Sequence, residues 1–295
     1  LSRKNNLIPD IPEMMRENVH VGDKELLLQK INKLISGGHR SLQIVTDFDH
    51  TLTRHKMDNG KIVLTSFGMF RECPSIPQHY KDEDTRLSGI YKPIEADPHM
   101  STEEKTKHMV DWYHAAHALL KGVRLPRNEL AESGNKMKDC FRIGVRDMIT
   151  WSEKRAVPVL VFSAGLGESV VAALRASDLL LPNVKVVSNF LALDENDCIV
   201  GIKGEVIHTY NKNETAIKNT DYYDLVKHRS NVVLLGDNIG DAGMAEGMDH
   251  CDTVLKVGFL GHNAQNLTNY LKHFDIVLVD EHSVDLVNAI FKRML

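Results

Sequence analysis

Cysteine is scarce and scattered in this chain: Cys73, Cys140, Cys198 and Cys251 are the only four in 295 residues. No C-x-x-C pair occurs, so the spacing gives neither a zinc site nor a disulfide framework, and a reducing, cytoplasmic setting is the expectation. Long hydrophobic runs are missing too. No apolar stretch approaches the roughly 20 residues that span a bilayer, and the amino end is polar, without a signal-peptide profile. The chain begins at Leu1 rather than Met, which leaves room for a leader removed upstream. Positive charge is not in excess either. A net charge of -4 supplies no general field for a nucleic-acid polymer or an anionic membrane, although a local basic pocket stays compatible with it. There is no internal repeat and no low-complexity tract. Gly165 and Gly167 lack the third glycine of a dinucleotide fingerprint, so NAD binding is not supported. Fifteen histidines are present, but His108, His114 and His117 fall at helical spacing and read as one partly exposed face, not as a zinc site.

What the chain does contain is enough apolar material, 42% of its residues, for a substantial core and a smaller second unit. The run Lys24 to Ile35 has helical spacing and is stopped by Gly37 and Gly38. Residues 55 to 100 carry several Pro and Gly and many charges, which reads as loop with short helical pieces. Ser101 to Glu104 is a capping box, and Met109, Trp112, Tyr113, Ala116, Leu119 and Leu120 follow at three- and four-residue steps, predicting an amphipathic helix. A second helical run is expected from Asn128 to about Lys154. From Val157 the pattern becomes strand, turn, helix, with apolar runs at 157–162, 184–187, 232–235, 253–257 and 276–279. Such alternation predicts an α/β fold with a parallel sheet covered on both faces. A β-hairpin excursion is expected near residues 190–208. The expected division is a catalytic core of residues 1–58 and 155–295 around a helical insertion of residues 59–154.

Four short motifs fall where strands of such a sheet should end, which is the edge where open α/β sheets bind ligands. They are Asp47-Phe-Asp-His-Thr51, Phe162-Ser163-Ala-Gly165, Lys212, and Gly236-Asp237-Asn-Ile-Gly-Asp241. Asp47 and Asp49 on one strand end would share a face and repel unless a cation or proton separates them. The inventory of acids, a hydroxyl and one fixed cation suits phosphoryl transfer. Taken singly the residues say less. Ser163 alone is more often a helix cap, Lys212 alone a solvated lysine, and Asp241 could simply cap a helix from Ala242 to Met248.

With all four motifs in order, the chain resembles the haloacid dehalogenase superfamily of aspartate-nucleophile phosphohydrolases. Tyr91-Lys-Pro-Ile-Glu-Ala-Asp97, Met109-Val-Asp-Trp-Tyr113, Pro182 to Asn189, Lys203 to His208 and Leu234 to Asp237 are similar to the cytosolic 5'-nucleotidase III family, from about residue 30 onward. The resemblance implies a Rossmann-like core with an inserted helical-bundle cap and a monomeric enzyme. It implies Asp47 as nucleophile and Asp49 as general acid and base. Mg2+ would be held by Asp47, the backbone carbonyl of Asp49, and Asp237, with Asp241 as a further ligand or outer partner. Ser163, Ala164 and Lys212 would bind phosphate. The implied activity is magnesium-dependent hydrolysis of nucleoside 5'-monophosphates through an aspartyl-phosphate, with phosphotransfer to a nucleoside as a side activity.

Substrate choice is expected in the cap. Glu95 matches the family's base-binding glutamate, and Tyr113 and Trp112 could stack on a base, although such a stripe is usually packing. In the loop after the first motif, members preferring pyrimidines carry a histidine, whereas this chain has Thr65-Ser-Phe-Gly-Met-Phe70. If Phe67 or Phe70 faces Tyr113, an aromatic sandwich would suit the cationic ring of 7-methylguanine, so that 7-methyl-GMP joins CMP and UMP as expected substrates. Two other readings remain open at this point: a phosphatase of the same superfamily acting on another small phosphomonoester such as phosphoserine, and a nucleotide-binding module without catalysis. The second is disfavoured because a binder needs neither Asp47 nor Asp49.

Overall fold

The computed structural model describes residues 11–97, 99–213, 217, 218, 220–261 and 264–294. Its helices are α1 (Lys24–Gly37), α2 (Ser66–Arg71), α3 (Gln78–Ala96), α4 (Thr102–Leu120), α5 (Arg127–Lys136), α6 (Val145–Lys154), α7 (Gly167–Ala176), α8 (Asp221–Val226), α9 (Leu267–Tyr270) and α10 (Asp285–Phe291). The strands are β1 (Val19–Val21), β2 (Leu42–Thr46), β3 (Val159–Leu166), β4 (Val184–Asn189), β5 (Leu191–Leu193), β6 (Ile199–Ile202), β7 (Asn231–Gly236), β8 (Thr253–Leu260) and β9 (Ile276–Val279).

Seven strands form one sheet in the order β1-β9-β8-β7-β2-β3-β4, parallel except for β1, which pairs antiparallel to β9. The alternation of side chains along each strand divides the apolar core in two. Ile44, Val159, Val161, Val233 and Leu235 face one layer, while Val45, Leu160, Phe162, Val232 and Leu234 face the other. Both faces are covered, which is why these strands read as continuous apolar runs and not as alternating ones. Helix α1 shows how a covering helix is specified. The Asp23 carboxylate accepts from the Leu26 N–H at its start, Leu27, Ile31 and Leu34 are buried along one stripe, and Gly38 at φ 63° ends it. Each of those side chains contributes about 1.5–3 kcal/mol by leaving water.

The chain leaves β2 for β3 on one side and returns as β7 on the other, so the strand order reverses at β2. At that switch point the connections diverge and leave a crevice beyond the carboxyl ends of the strands. Helices α2, α3 and α4 and the β5–β6 hairpin stand over this edge, sharing an apolar cluster built on Phe70, Tyr80, Leu120, Leu191 and Ile199.

Two features differ from the sequence-based expectation. Residues 78–96, expected as loop with short helical pieces, form the 19-residue helix α3. Its Pro93 lies in the last turn, where it removes one backbone bond without breaking the helix. The run from Asn128 to Lys154 is not one helix. It is interrupted over residues 137–144, and the helix restarts after Gly144, whose φ of 85° strains any side chain and whose carbonyl accepts from Asn288 Nδ2 at 2.9 Å. Beyond that break, Val145, Met148 and Ile149 of α6 pack in the apolar cluster that covers one face of the sheet. Among the described residues, no helix is long and apolar enough to cross a membrane.

Candidate active site

All five residues of β2 are buried, and the strand delivers Asp47 to the rim with its N–H bonded to the Leu235 carbonyl at 2.9 Å. There the Lys212 ammonium donates to Asp47 Oδ1 at 2.6 Å and to Asp241 Oδ1 at 2.7 Å. Lys212 is only 5% exposed, so the solvated-lysine reading does not apply. Burial alone would lower its pKa, but Asp241 and Asp47 outweigh that and hold the ammonium firmly charged.

Asp237 follows β7 and accepts a long bond, 3.4 Å, from the Thr51 hydroxyl. Asp241 is buried, and its Oδ2 accepts the N–H groups of Asp237 at 3.2 Å and Asn238 at 3.0 Å. It therefore fixes the loop as well as facing Lys212. Gly236 permits this: a Cβ there would sit 2.4 Å from that of Asp241. Carboxylate oxygens of Asp47, Asp237 and Asp241 all lie within 4.8 Å of one another. Burial, helped by neighbouring Asp241, pushes Asp47 up to about 7 against the opposing pull of Lys212. Burial together with Asp47 and Asp241 raises Asp237 well above the carboxylate range. One ammonium facing three clustered acids leaves surplus negative charge in a dry place, and hard oxygen donors of this kind fit a divalent cation.

Asp49 is held separately. Its Oδ1 accepts the Ser66 N–H at 2.7 Å and its Oδ2 the Ser66 hydroxyl at 2.6 Å. Burial raises it to about 6 despite those bonds. Its side chain is outside the carboxylate cluster of Asp47, Asp237 and Asp241. The Ser163 hydroxyl, in the second half of β3, accepts the Gly165 N–H at 3.0 Å. The Ala164 carbonyl accepts from Asn189 Nδ2 at 2.8 Å and from the Tyr113 hydroxyl at 3.1 Å, which ties helix α4 to the core.

These groups floor a cavity of about 440 Å³ whose upper walls include Phe67, Glu95, Trp112 and Tyr113. Glu95 accepts from the Thr209 hydroxyl at 2.8 Å and from Asn238 Nδ2 at 3.4 Å, and burial raises its carboxyl. Phe67 meets Tyr113 edge-on, with ring centroids 6.4 Å apart and planes 77° apart, so the two do not form a parallel sandwich. Phe70 is corrected outright: it is 0% exposed, lies edge-on to Tyr80 at 5.7 Å, and belongs to the cap's apolar cluster instead of the cavity wall. Trp112 lies parallel to Tyr91, with centroids 5.7 Å apart.

Sequence reasoning missed Ser66, Thr209, Asn238 and Arg142. The buried Arg142 guanidinium donates to the Thr51 carbonyl at 2.7 Å, the His50 carbonyl at 2.6 Å and the Glu281 carbonyl, and so fastens the loop after Asp49. Asn238 also caps the short turn that follows it, accepting the Gly240 N–H at 3.0 Å, but the contacts that bring Ser66, Thr209, Asn238 and Arg142 to the site are with partners distant in sequence.

The profile of the pyrimidine 5'-nucleotidase (UMPH-1) family matches residues 50–295. The 7-methylguanosine phosphate-specific 5'-nucleotidase of Drosophila melanogaster is 39% identical over 281 residues, which is 95% of this chain and 88% of that protein. Its human counterpart is 32% identical over 287 residues, 97% and 95% of the two chains. The crystal structure of cytosolic 5'-nucleotidase IIIB bound to cytidine superposes with a TM-score of 0.93 at 38% identity, covering 97% of this chain and 96% of the other. A substrate-bound phosphoserine phosphatase, 18% identical with a TM-score of 0.52 over 86% of this chain and 98% of its own, shares the fold alone. With an acidic cluster suited to a divalent cation at the switch point of a haloacid dehalogenase-like sheet, and with this match over most of its length, the chain belongs to the pyrimidine 5'-nucleotidase (UMPH-1) family of phosphoric monoester hydrolases.

Proposed function

We propose that the protein is a magnesium-dependent 5'-nucleotidase of the cytosol, hydrolysing CMP, UMP or 7-methyl-GMP to nucleoside and phosphate through an aspartyl-phosphate on Asp47. One observation carries the reading. Asp47, paired with a buried lysine, and Asp49, held apart on Ser66, share the floor of a cavity whose roof carries aromatic rings and Glu95. Two acids in different environments suit two roles. Asp47 attacks phosphorus in line, the bond to the nucleoside 5' oxygen breaks, and Asp49 delivers its proton to that leaving oxygen. Asp49 then takes a proton from water as it attacks the acyl phosphate, releasing phosphate and restoring Asp47. Lys212 and Ser163, with the amides beyond it, offset and orient the phosphoryl oxygens.

The side chains of Asp47, Asp237 and Asp241, with the Asp49 carbonyl, would hold Mg2+; when bound, that ion supplies charge neutralisation for the acids and the transferred oxygens. The names of the relatives support a nucleotide substrate: the Drosophila and human proteins are called 7-methylguanosine phosphate-specific, and the similar crystal structure contains cytidine. Names of two similar proteins also include the word cytosolic. Glu95 can accept from a cytosine amino group or from guanine N1 and N2. Trp112 and Tyr113 offer ring faces or edges, of which a cationic 7-methylguanine gains most.

Phosphate release from CMP, UMP, 7-methyl-GMP, GMP and phosphoserine, with magnesium and with chelator, tests the proposal. Nucleotides are expected to rank first and chelator to stop turnover. Faster release from phosphoserine would overturn the nucleotidase reading, and equal turnover of GMP and 7-methyl-GMP would remove the argument from ring charge.

A further inference from the structure

We propose that Ser66 is a positioning residue for the reaction, fixing the carboxyl group of Asp49 so that it can reach first the leaving oxygen and then the attacking water. The inference rests on the reading of Asp49 as acid and base and goes beyond it by naming what holds that group. Ser66 is the first residue of α2 and is fully buried. It binds both oxygens of Asp49, Oδ1 through its N–H at 2.7 Å and Oδ2 through its hydroxyl at 2.6 Å. The same hydroxyl accepts the Leu166 N–H at 3.1 Å, so its own rotamer is locked by the end of β3.

Three segments thus meet at one oxygen: the loop after β2, the start of α2 and the end of β3. A carboxylate clamped at both oxygens cannot turn about its Cβ–Cγ bond without losing both partners. With the hydroxyl removed, one bond remains and the group is free to swing. The site has been cleared for this contact. A Cβ on Gly165 would stand 1.9 Å from Ser66 Oγ and 2.9 Å from Asp49 Oδ2, so the segment after Ser163 has no room for a side chain there. Phe67, the next residue of α2, lines the cavity's upper wall. One short helix therefore touches both the acid and the substrate cavity.

A double-mutant cycle separates positioning from general damage. Turnover of CMP and 7-methyl-GMP at saturating magnesium is measured for the wild type, Ser66→Ala, Asp49→Asn and the double variant, with whichever nucleotide the wild type hydrolyses faster used throughout. Ser66→Ala is expected to lower kcat by about 10- to 100-fold, the range for a reacting group displaced by about 1 Å, with KM moving less than about threefold. In the Asp49→Asn background the same substitution should cost nothing further, because the group it positions is gone. An equal fold-loss in both backgrounds, or an unchanged kcat in Ser66→Ala, would overturn the proposal while leaving Asp49 in its role. Wild-type turnover in Asp49→Asn would instead overturn the reading of Asp49 itself.

Discussion

Replacing Lys212 by Met keeps all but the last atom of the side chain and removes its charge, and the structure sets the expected cost. The ammonium lies 2.6 Å from Asp47 and 2.7 Å from Asp241, and the three side chains are 3%, 7% and 2% exposed. Cavity water reaches little of either acid and replaces the ammonium poorly, so the variant loses the counter-ion of two buried carboxylates. Breaking a buried pair from one side costs about 3–5 kcal/mol. At roughly 2–4 °C per kcal/mol for large domains, the variant should melt about 6–20 °C below the wild type in chelator. Magnesium should narrow that gap, because a divalent ion neutralises the same acids and gains most where the lysine no longer competes. Thermal unfolding of both proteins with and without magnesium reads this directly, and kcat should fall by about 10²–10³-fold even where stability recovers. A variant as stable as the wild type in chelator, or a gap that magnesium leaves unchanged, would refute the view that Lys212 and a cation share one acidic cluster.

The two phenylalanines of α2 should separate cleanly. Phe70→Ala, emptying a fully buried position, should cost about 3–5 kcal/mol in denaturant unfolding, while Phe67→Ala, at a partly buried position on the edge of the same cluster, should cost clearly less and raise KM for the nucleotide. Gly165→Ala should express and fold with a loss of about 1–3 kcal/mol, yet lose about 10²-fold in kcat because its methyl group displaces Ser66 and Asp49; unaltered kinetics would contradict the clamp.

Much of the architecture could be read from the chain because its physics is local. Runs such as Val232 to Leu235 are apolar throughout, since a parallel sheet buried on both faces leaves no polar side, and the acids at their ends mark the rim. The capping box at Ser101 likewise announces α4, and the structure contains both of its reciprocal bonds. Helix α3 was hidden because it is rich in charge and its Pro93 imitates a breaker, although that proline falls in the last turn, where almost no helix remains to be broken. The three-residue β1 has too few positions to show a period. Within the site, Asp47, Asp237 and Lys212 follow from motif order, whereas the Ser66 clamp on Asp49 joins residues 17 apart that no spacing rule connects. Phe67 and Phe70 look equivalent in sequence. They lie three residues apart and share one face of α2; Phe70 is fully buried beside Tyr80, whereas Phe67 packs against the same cluster only in part and also lines the cavity.

The claim on which the account turns is that Asp47 is transiently phosphorylated. Rapid acid quench of the enzyme with nucleotide carrying a labelled 5'-phosphate, followed by peptide mapping, tests it. The account predicts a magnesium-dependent, alkali-labile label on the peptide containing Asp47, absent from Asp47→Asn, which folds but does not turn over. Label on any other residue, or full turnover by Asp47→Asn, would contradict it.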